Sequence, residues 1–255
     1  MKIMPNPNSD LRRKLIFALD VGEELEESLS WVGRLAGHVG LFKIGKEAFT
    51  HFGPEIVSQV RQRGGDVFLD LKFHDIPNTV ARAAEAATSL GAFMFNIHAS
   101  GGRKMMEEAV LAANVFSQKK GLPMPVVLAV TILTSLNDQD LKEIGFRGTT
   151  QEAVLALARM AQDTGVHGVV ASPQDIENVR AACGRDFLIV TPGIRGLEAP
   201  ADDQKRTLSP SEAMSLGADY LVVGRPIRHA PDPASEADAI VAEMVRGLAC
   251  HSKSL

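Results

Sequence analysis

The stretch DVFLDLKFHDIPNTV (66–80) runs from an apolar strand into a helix, and Asp70, Lys72, His74 and Asp75 sit at the junction. Strand period two puts Phe68, Asp70 and Lys72 on one face and Leu69 and Leu71 on the other. Pro77 suits the first turn of the helix that follows. The stretch is one β/α unit with its charge gathered at the carboxyl end of the strand.

The same unit recurs on both sides of it. Upstream, KLIFALD (14–20) precedes EELEESLSWVGRLAG, and GLFKIG (40–45) precedes the helical segment EAFTHFGPEIVSQVRQRG. Downstream, FMFNIHA (93–99), PVVLAVTIL (125–133), HGVVAS (167–172), FLIVTPGI (187–194) and DYLVVGRPI (219–227) each precede a segment of helical period. The strands read as near-continuous apolar runs, the pattern of a parallel sheet covered by helices. Glycines such as Gly37, Gly64, Gly91 and Gly121 punctuate helix ends. Eight β/α units in 255 residues predict an α/β fold of the (β/α)₈ TIM barrel type. A single domain then covers 1–255, with residues 1–13 as an N-terminal extension. A doubly wound open sheet is the alternative, because strand count alone does not prove closure.

Composition narrows the function classes. A net charge of −4 argues against a nucleic-acid surface or a polybasic membrane patch. The two cysteines, Cys183 and Cys250, belong to no Cys-x-x-Cys or Cys/His cluster, which argues against a disulfide framework and a structural zinc site. The N-terminus lacks the apolar core of a signal peptide, and the apolar runs are too short to span a bilayer. The expectation is a cytoplasmic protein with neither nucleic acid nor membrane as partner.

In such a barrel the chemistry lies at the carboxyl ends of the strands. Those ends carry Asp20, Lys43, Asp70 with Lys72, Asn96 with His98, Thr131 with Thr134, Ser172, Thr191 with Arg195, and Arg225. Asp70 and Lys72 share a face and point together into the barrel mouth. A self-satisfied buried ion pair is the structural alternative, and such a pair adds little to stability. With Asp75 close by, the pattern instead predicts a lysine held in its ammonium form by carboxylates, a proton donor rather than a nucleophile. Asp75 has a second reading as a cap of the helix. His74 and His98 read equally well as structural hydrogen-bonders. TPGIRG (191–196) and VVGRPI (222–227) are glycine-containing strand ends followed by arginine, suited to a phosphate group through backbone N–H donors and the Arg225 fork. Gln204 lies in the polar loop between them.

FALD, FKIGKEAF, FLDLKFHDIPNT, NIHASGG, VTILTS, TPGIR and VVGRPI, in this order, resemble the orotidine 5′-phosphate decarboxylases of the shorter bacterial type. The resemblance runs from about Lys14 to the C-terminal helix. It implies decarboxylation of orotidine 5′-monophosphate to uridine 5′-monophosphate, the last step of de novo pyrimidine synthesis, with no metal and no organic cofactor. It further implies that Lys72 protonates C6 of the pyrimidine, with Asp70 beside it and Lys43 and Asp20 completing a charged array near the ribose. Thr134 would lie near the base, Gln204 would bridge base and phosphate, and Arg195, Gly224 and Arg225 would lie at the phosphate. Asp75, Ile76 and Thr79 would serve the neighbouring active site of a homodimer. Two other readings stay open: a Mg²⁺-dependent decarboxylase of a keto-sugar phosphate, which shares the acid–lysine pattern, and a non-catalytic nucleotide-binding barrel.

Overall fold

The computed structural model of the chain describes residues 11–22, 24–195 and 208–251. Its sheet contains β1 (Leu15–Ala18), β2 (Leu41–Gly45), β3 (Asp66–Phe73), β4 (Met94–His98), β5 (Val126–Val130), β6 (Gly168–Val170), β7 (Leu188–Thr191) and β8 (Tyr220–Val223). Neighbours in that order pair in parallel, and β1 also pairs with β8 through Leu15–Leu221 to Phe17–Val223, so the sheet closes. Closure excludes the open doubly wound alternative. Each predicted strand is present; β3 keeps the full 66–73 span read from the sequence, and the others are trimmed at one or both ends.

The two faces of the sheet have separate cores. Ile16, Leu41, Phe68, Met94, Leu128, Val190 and Val222 form one buried cluster. These residues come from alternate positions on seven strands, as the filled interior of a (β/α)₈ barrel requires. Their strand neighbours, including Phe17, Leu69, Phe95 and Ile189, join the larger cluster between sheet and helices. Because both faces are covered, the strands are apolar throughout except at their tips.

Around the barrel run α1 (Leu25–Leu35), α2 (Lys46–Phe52), α3 (Glu55–Gln62), α4 (Pro77–Ser89), α5 (Arg103–Lys120), α6 (Asp138–Glu143), α7 (Thr150–Asp163), α8 (Ile176–Cys183), α9 (Pro210–Ser215), α10 (Arg225–Arg228) and α11 (Pro233–His251). The segment after β2, which reads as one helical stretch, is two helices. Gly53 adopts a left-handed φ of 63°, and Pro54 offers no N–H to continue the first helix. Local signals set several other starts: the side chains of Asn137, Thr149 and Ser209 cap α6, α7 and α9 in reciprocal capping boxes with Asp140, Glu152 and Glu212.

Residues 1–10 of the expected N-terminal extension lie outside the described residues. Leu11 is buried against the barrel, and Arg12 pairs with Asp238 of α11 at 3.1 Å. At the other rim, Ile194 and Leu208 form an isolated bridge, and the Arg195 N–H donates to the Leu208 carbonyl at 3.0 Å. The two residues that flank segment 196–207 are thereby held at one point. Among the described residues, no helix is long and apolar enough to cross a membrane.

Candidate active site

Four charged residues from three strand ends form one chain of alternating sign. Lys43 Nζ, on β2, donates to both carboxylate oxygens of Asp20 at 3.2 and 3.1 Å. It also lies 3.4 Å from Asp70 Oδ2. Lys72 Nζ donates to Asp70 Oδ1 at 2.5 Å. The Lys43 and Asp70 side chains are each only 12% exposed, so each charge depends on its neighbours rather than on water. Burial by itself raises the Asp70 carboxyl, but the ammonium groups of Lys43 and Lys72 and hydrogen bonds from Lys72 and Asn96 outweigh it. The net effect holds Asp70 below the ordinary carboxylate value.

Lys72 arrives in an unusual way. The β3–β4 ladder runs Phe68–Met94 and Leu69–Phe95, then resumes at Phe73–Ile97. Asp70, Leu71 and Lys72 therefore stand opposite Asn96 alone, a bulge in a parallel pair. Inserting two extra residues preserves the alternation, so Asp70 and Lys72 keep the inward face predicted for them while Leu71 and Phe73 pack on the outer core. Within the bulge Lys72 takes φ 52°, the only positive φ among the described non-glycine residues. Its N–H donates to Asn96 Oδ1 at 2.8 Å, and Asn96 Nδ2 donates to Asp70 Oδ1 at 2.7 Å.

Two adjoining cavities share Lys43, Pro192 and Val222 in their walls. One, of about 280 Å³, is lined by Asp20, Arg195, Gly224, Arg225 and Arg228 among others. The other, of about 190 Å³, is lined by Asp70, Lys72, Phe68, Ile132, Leu133 and Thr134 among others. The first is cationic at the end built from the loops after β7 and β8. The second has mostly apolar walls and its charge at one corner, from Lys43, Asp70 and Lys72. A self-satisfied ion pair would be closed off; here Lys72 faces the open space with a side chain 25% exposed.

Asp75, Ile76 and Thr79 lie elsewhere. All three are exposed at the start of α4, Ile76 to 66%. Asp75 does not cap the helix, whose N-cap is Ile76; its Oδ1 accepts from the Ile76 N–H at 2.6 Å. It makes no ion pair with Lys72 of its own chain. His74 packs against His98 with ring centroids 5.2 Å apart and ring planes tilted by 34°. Burial, followed by the neighbouring His74, Lys46 and Lys72 side chains, lowers His98 to about 4. Gln204 lies outside the described residues. Among the described residues, no group of three or more His, Cys, Asp or Glu side chains is placed to hold a metal ion.

Three residues at the site escaped assignment from sequence. Asn96 was visible only as a polar strand end, with no sign that it touches both Asp70 and Lys72. Gly45 leaves the space that Asp20 and Lys43 use, since a Cβ there would come within 2.8 Å of Asp20 Oδ1 and 3.0 Å of Lys43 Nζ. Arg228 lines the cationic cavity and donates to the Asp20 carbonyl at 2.8 Å. Its place one helical turn after Arg225 was the available signal, and a solvated arginine reads the same way.

A family model described as orotidine 5′-phosphate decarboxylase / HUMPS matches residues 13–240, a span that includes all eight strands and every charged strand end above. The chain belongs to the orotidine 5′-phosphate decarboxylase / HUMPS family. Among its relatives, the orotidine 5′-phosphate decarboxylase of Syntrophus aciditrophicus is 61% identical over 96% of this chain and 98% of its own length. That of Geotalea daltonii is 52% identical over 93% and 98%. The crystal structure of orotidine 5′-phosphate decarboxylase from Lactobacillus acidophilus, 38% identical, superposes with a TM-score of 0.79 over 91% of this chain and 99% of that one. Membership in this family agrees with the closed barrel and with the strand-end placement of the charges.

Proposed function

We propose that this chain decarboxylates orotidine 5′-monophosphate to uridine 5′-monophosphate and CO₂ in pyrimidine synthesis, without metal or organic cofactor, in the cytoplasm. The observation that carries the reading is the Asp20–Lys43–Asp70–Lys72 array at the junction of a cationic and an apolar cavity, on a chain of this family. In the reaction the bond from C6 to the carboxylate breaks, CO₂ leaves, and the electron pair stays on C6 in an sp² orbital outside the ring's π system. The Lys72 ammonium stabilises that pair electrostatically as it develops and then transfers its proton to C6. The neutral amine takes a proton back from solvent before the next turnover. Asp70 holds the ammonium in place, and Lys43 links Asp70 to Asp20 near the ribose.

Arg195, Gly224 and Arg225 serve the phosphate and Thr134 serves the base; for Gln204, which lies outside the described residues, the family resemblance implies a role between the two. Contacts to phosphate, remote from C6, supply binding energy that closure and distortion at the reacting carbon require. Asp75, Ile76 and Thr79 are exposed on their own barrel, which supports the reading that a homodimer uses them in the neighbouring site.

The test is loss of ultraviolet absorbance when purified protein meets orotidine 5′-monophosphate in excess chelator. Turnover that persists in chelator, and falls at least about a thousandfold in Lys72→Ala while uridine 5′-monophosphate still binds, is the expected result. A protein that leaves orotidine 5′-monophosphate intact with or without chelator, and releases CO₂ from a keto-sugar phosphate only when Mg²⁺ is supplied, belongs to the other branch. A Lys72→Ala protein that releases CO₂ at the wild-type rate refutes the proposal.

A further inference from the structure

Resting on the decarboxylase reading, we infer that Asn96 is the positioning residue that aims Lys72, holding the lysine backbone and the Asp70 carboxylate with the two ends of one carboxamide.

The need for such a residue comes from the bulge. Three consecutive residues of β3 face Asn96, so the regular ladder is interrupted where the charged pair leaves the strand. A left-handed backbone disfavours any residue with a Cβ, at about 1–2 kcal/mol, so surrounding structure has to impose it on Lys72. Asn96 is fully buried on β4 and supplies that restraint: its Oδ1 takes the Lys72 N–H at 2.8 Å. The same side chain donates Nδ2 to Asp70 Oδ1 at 2.7 Å, the oxygen that also receives the Lys72 ammonium at 2.5 Å. Backbone of Lys72, carboxamide of Asn96, carboxylate of Asp70 and ammonium of Lys72 thus close a ring of hydrogen bonds.

A short carboxamide satisfies both ends without the gain or loss of a proton. The Lys72 N–H requires an acceptor and the Asp70 carboxylate requires a donor, 24 and 26 residues away in the chain respectively. Leucine of similar size orphans both groups. Aspartate keeps the acceptor but turns a second carboxylate toward Asp70, and two such groups in contact cannot both ionise. Lysine otherwise carries a flexible four-carbon stem. Fixing its backbone and its ion-pair partner together leaves the ammonium one direction, over the apolar cavity. A tip displaced by about 1 Å costs a proton transfer on the order of a hundredfold.

The experiment compares kcat for orotidine 5′-monophosphate, affinity for uridine 5′-monophosphate and thermal unfolding in wild type, Asn96→Ala and Asn96→Asp. The expected result for Asn96→Ala is kcat lower by about a hundredfold, with affinity for the product changed by less than about threefold, since the phosphate contacts lie in the other cavity. Asn96→Asp is expected to work when one proton is shared with Asp70. Its kcat therefore falls as pH rises through the raised pKa of that pair, a limb absent from the wild-type profile. A kcat for Asn96→Ala within threefold of wild type overturns the inference, as does an equal loss of kcat and product affinity, which marks a merely structural role. Should Asn96→Ala fail to fold, the isosteric Asn96→Asp decides, and a pH profile parallel to wild type overturns the inference. Wild-type protein without turnover removes the decarboxylase reading itself, and the inference with it.

Discussion

Lys72 concentrates two costs in one residue: a left-handed backbone at φ 52° and a partly buried charge. The backbone cost is separable from the charge by comparing two variants that both lack the ammonium. Lys72→Gly is expected to be more stable than Lys72→Ala by about 1 kcal/mol, because glycine occupies positive φ without a Cβ clash. Chemical denaturation measures this, and equal midpoints would show that the backbone relaxes once the side chain is gone. His98 makes a second residue-scale prediction. Its folded value of about 4 lies below the ordinary 6.5, so the folded state keeps it neutral while the unfolded chain takes up a proton. The stabilisation from neutral His98 is complete above about 6.5 and is lost as pH falls toward about 4. Unfolding free energies at pH 7.5 and 5 are expected to differ less in His98→Gln than in wild type; identical pH slopes would remove this attribution.

At the scale of elements, the apolar runs overestimate the strands for a physical reason. PVVLAVTIL (125–133) reads as one strand, but β5 ends at Val130, and Ile132 and Leu133 form part of the apolar wall of the cavity beside Lys72. Hydrophobicity at a strand tip signals burial, whether by the core or by a ligand, and periodicity does not separate the two. Close approach also constrains β6. A Cβ on Gly168 would sit 2.3 Å from the Leu188 carbonyl oxygen of β7, which is backbone and has no rotamer to yield. Gly168→Ala is therefore expected to destabilise the barrel by roughly 1–3 kcal/mol. The fully folded fraction should keep its turnover, since Gly168 lies at the opposite end of the strand from the site; denaturation midpoints and kcat per folded molecule check both halves.

For the whole molecule, the decisive feature is that Asp70 pairs with Lys72 of its own chain, whereas exposed Asp75 accepts from the Ile76 N–H. If two barrels complete each other, a Lys72→Ala chain and an Asp75→Asn chain are each inactive alone. Unfolding and refolding them together should then restore roughly a quarter of wild-type activity, because random pairing leaves one intact site in each mixed dimer. No recovery on mixing would place each site within one barrel. Dilution that lowers specific activity in step with dissociation is the companion measurement.

The residues themselves determined the alternation of strand and helix, the inward pairing of Asp70 with Lys72, and the concentration of polar tips on one rim. Each follows from local hydrophobic period and from residue type, which neighbours in sequence carry. Tertiary structure alone decided that the sheet closes, that Asp20, Lys43 and Asp70 meet across three strands, that β3 bulges opposite Asn96, and that Lys72 turns left-handed there. Those outcomes depend on register between strands and on the hydrogen bonds left over when a ladder is interrupted. Such energies arise between residues distant in the chain, so no window of sequence contains them.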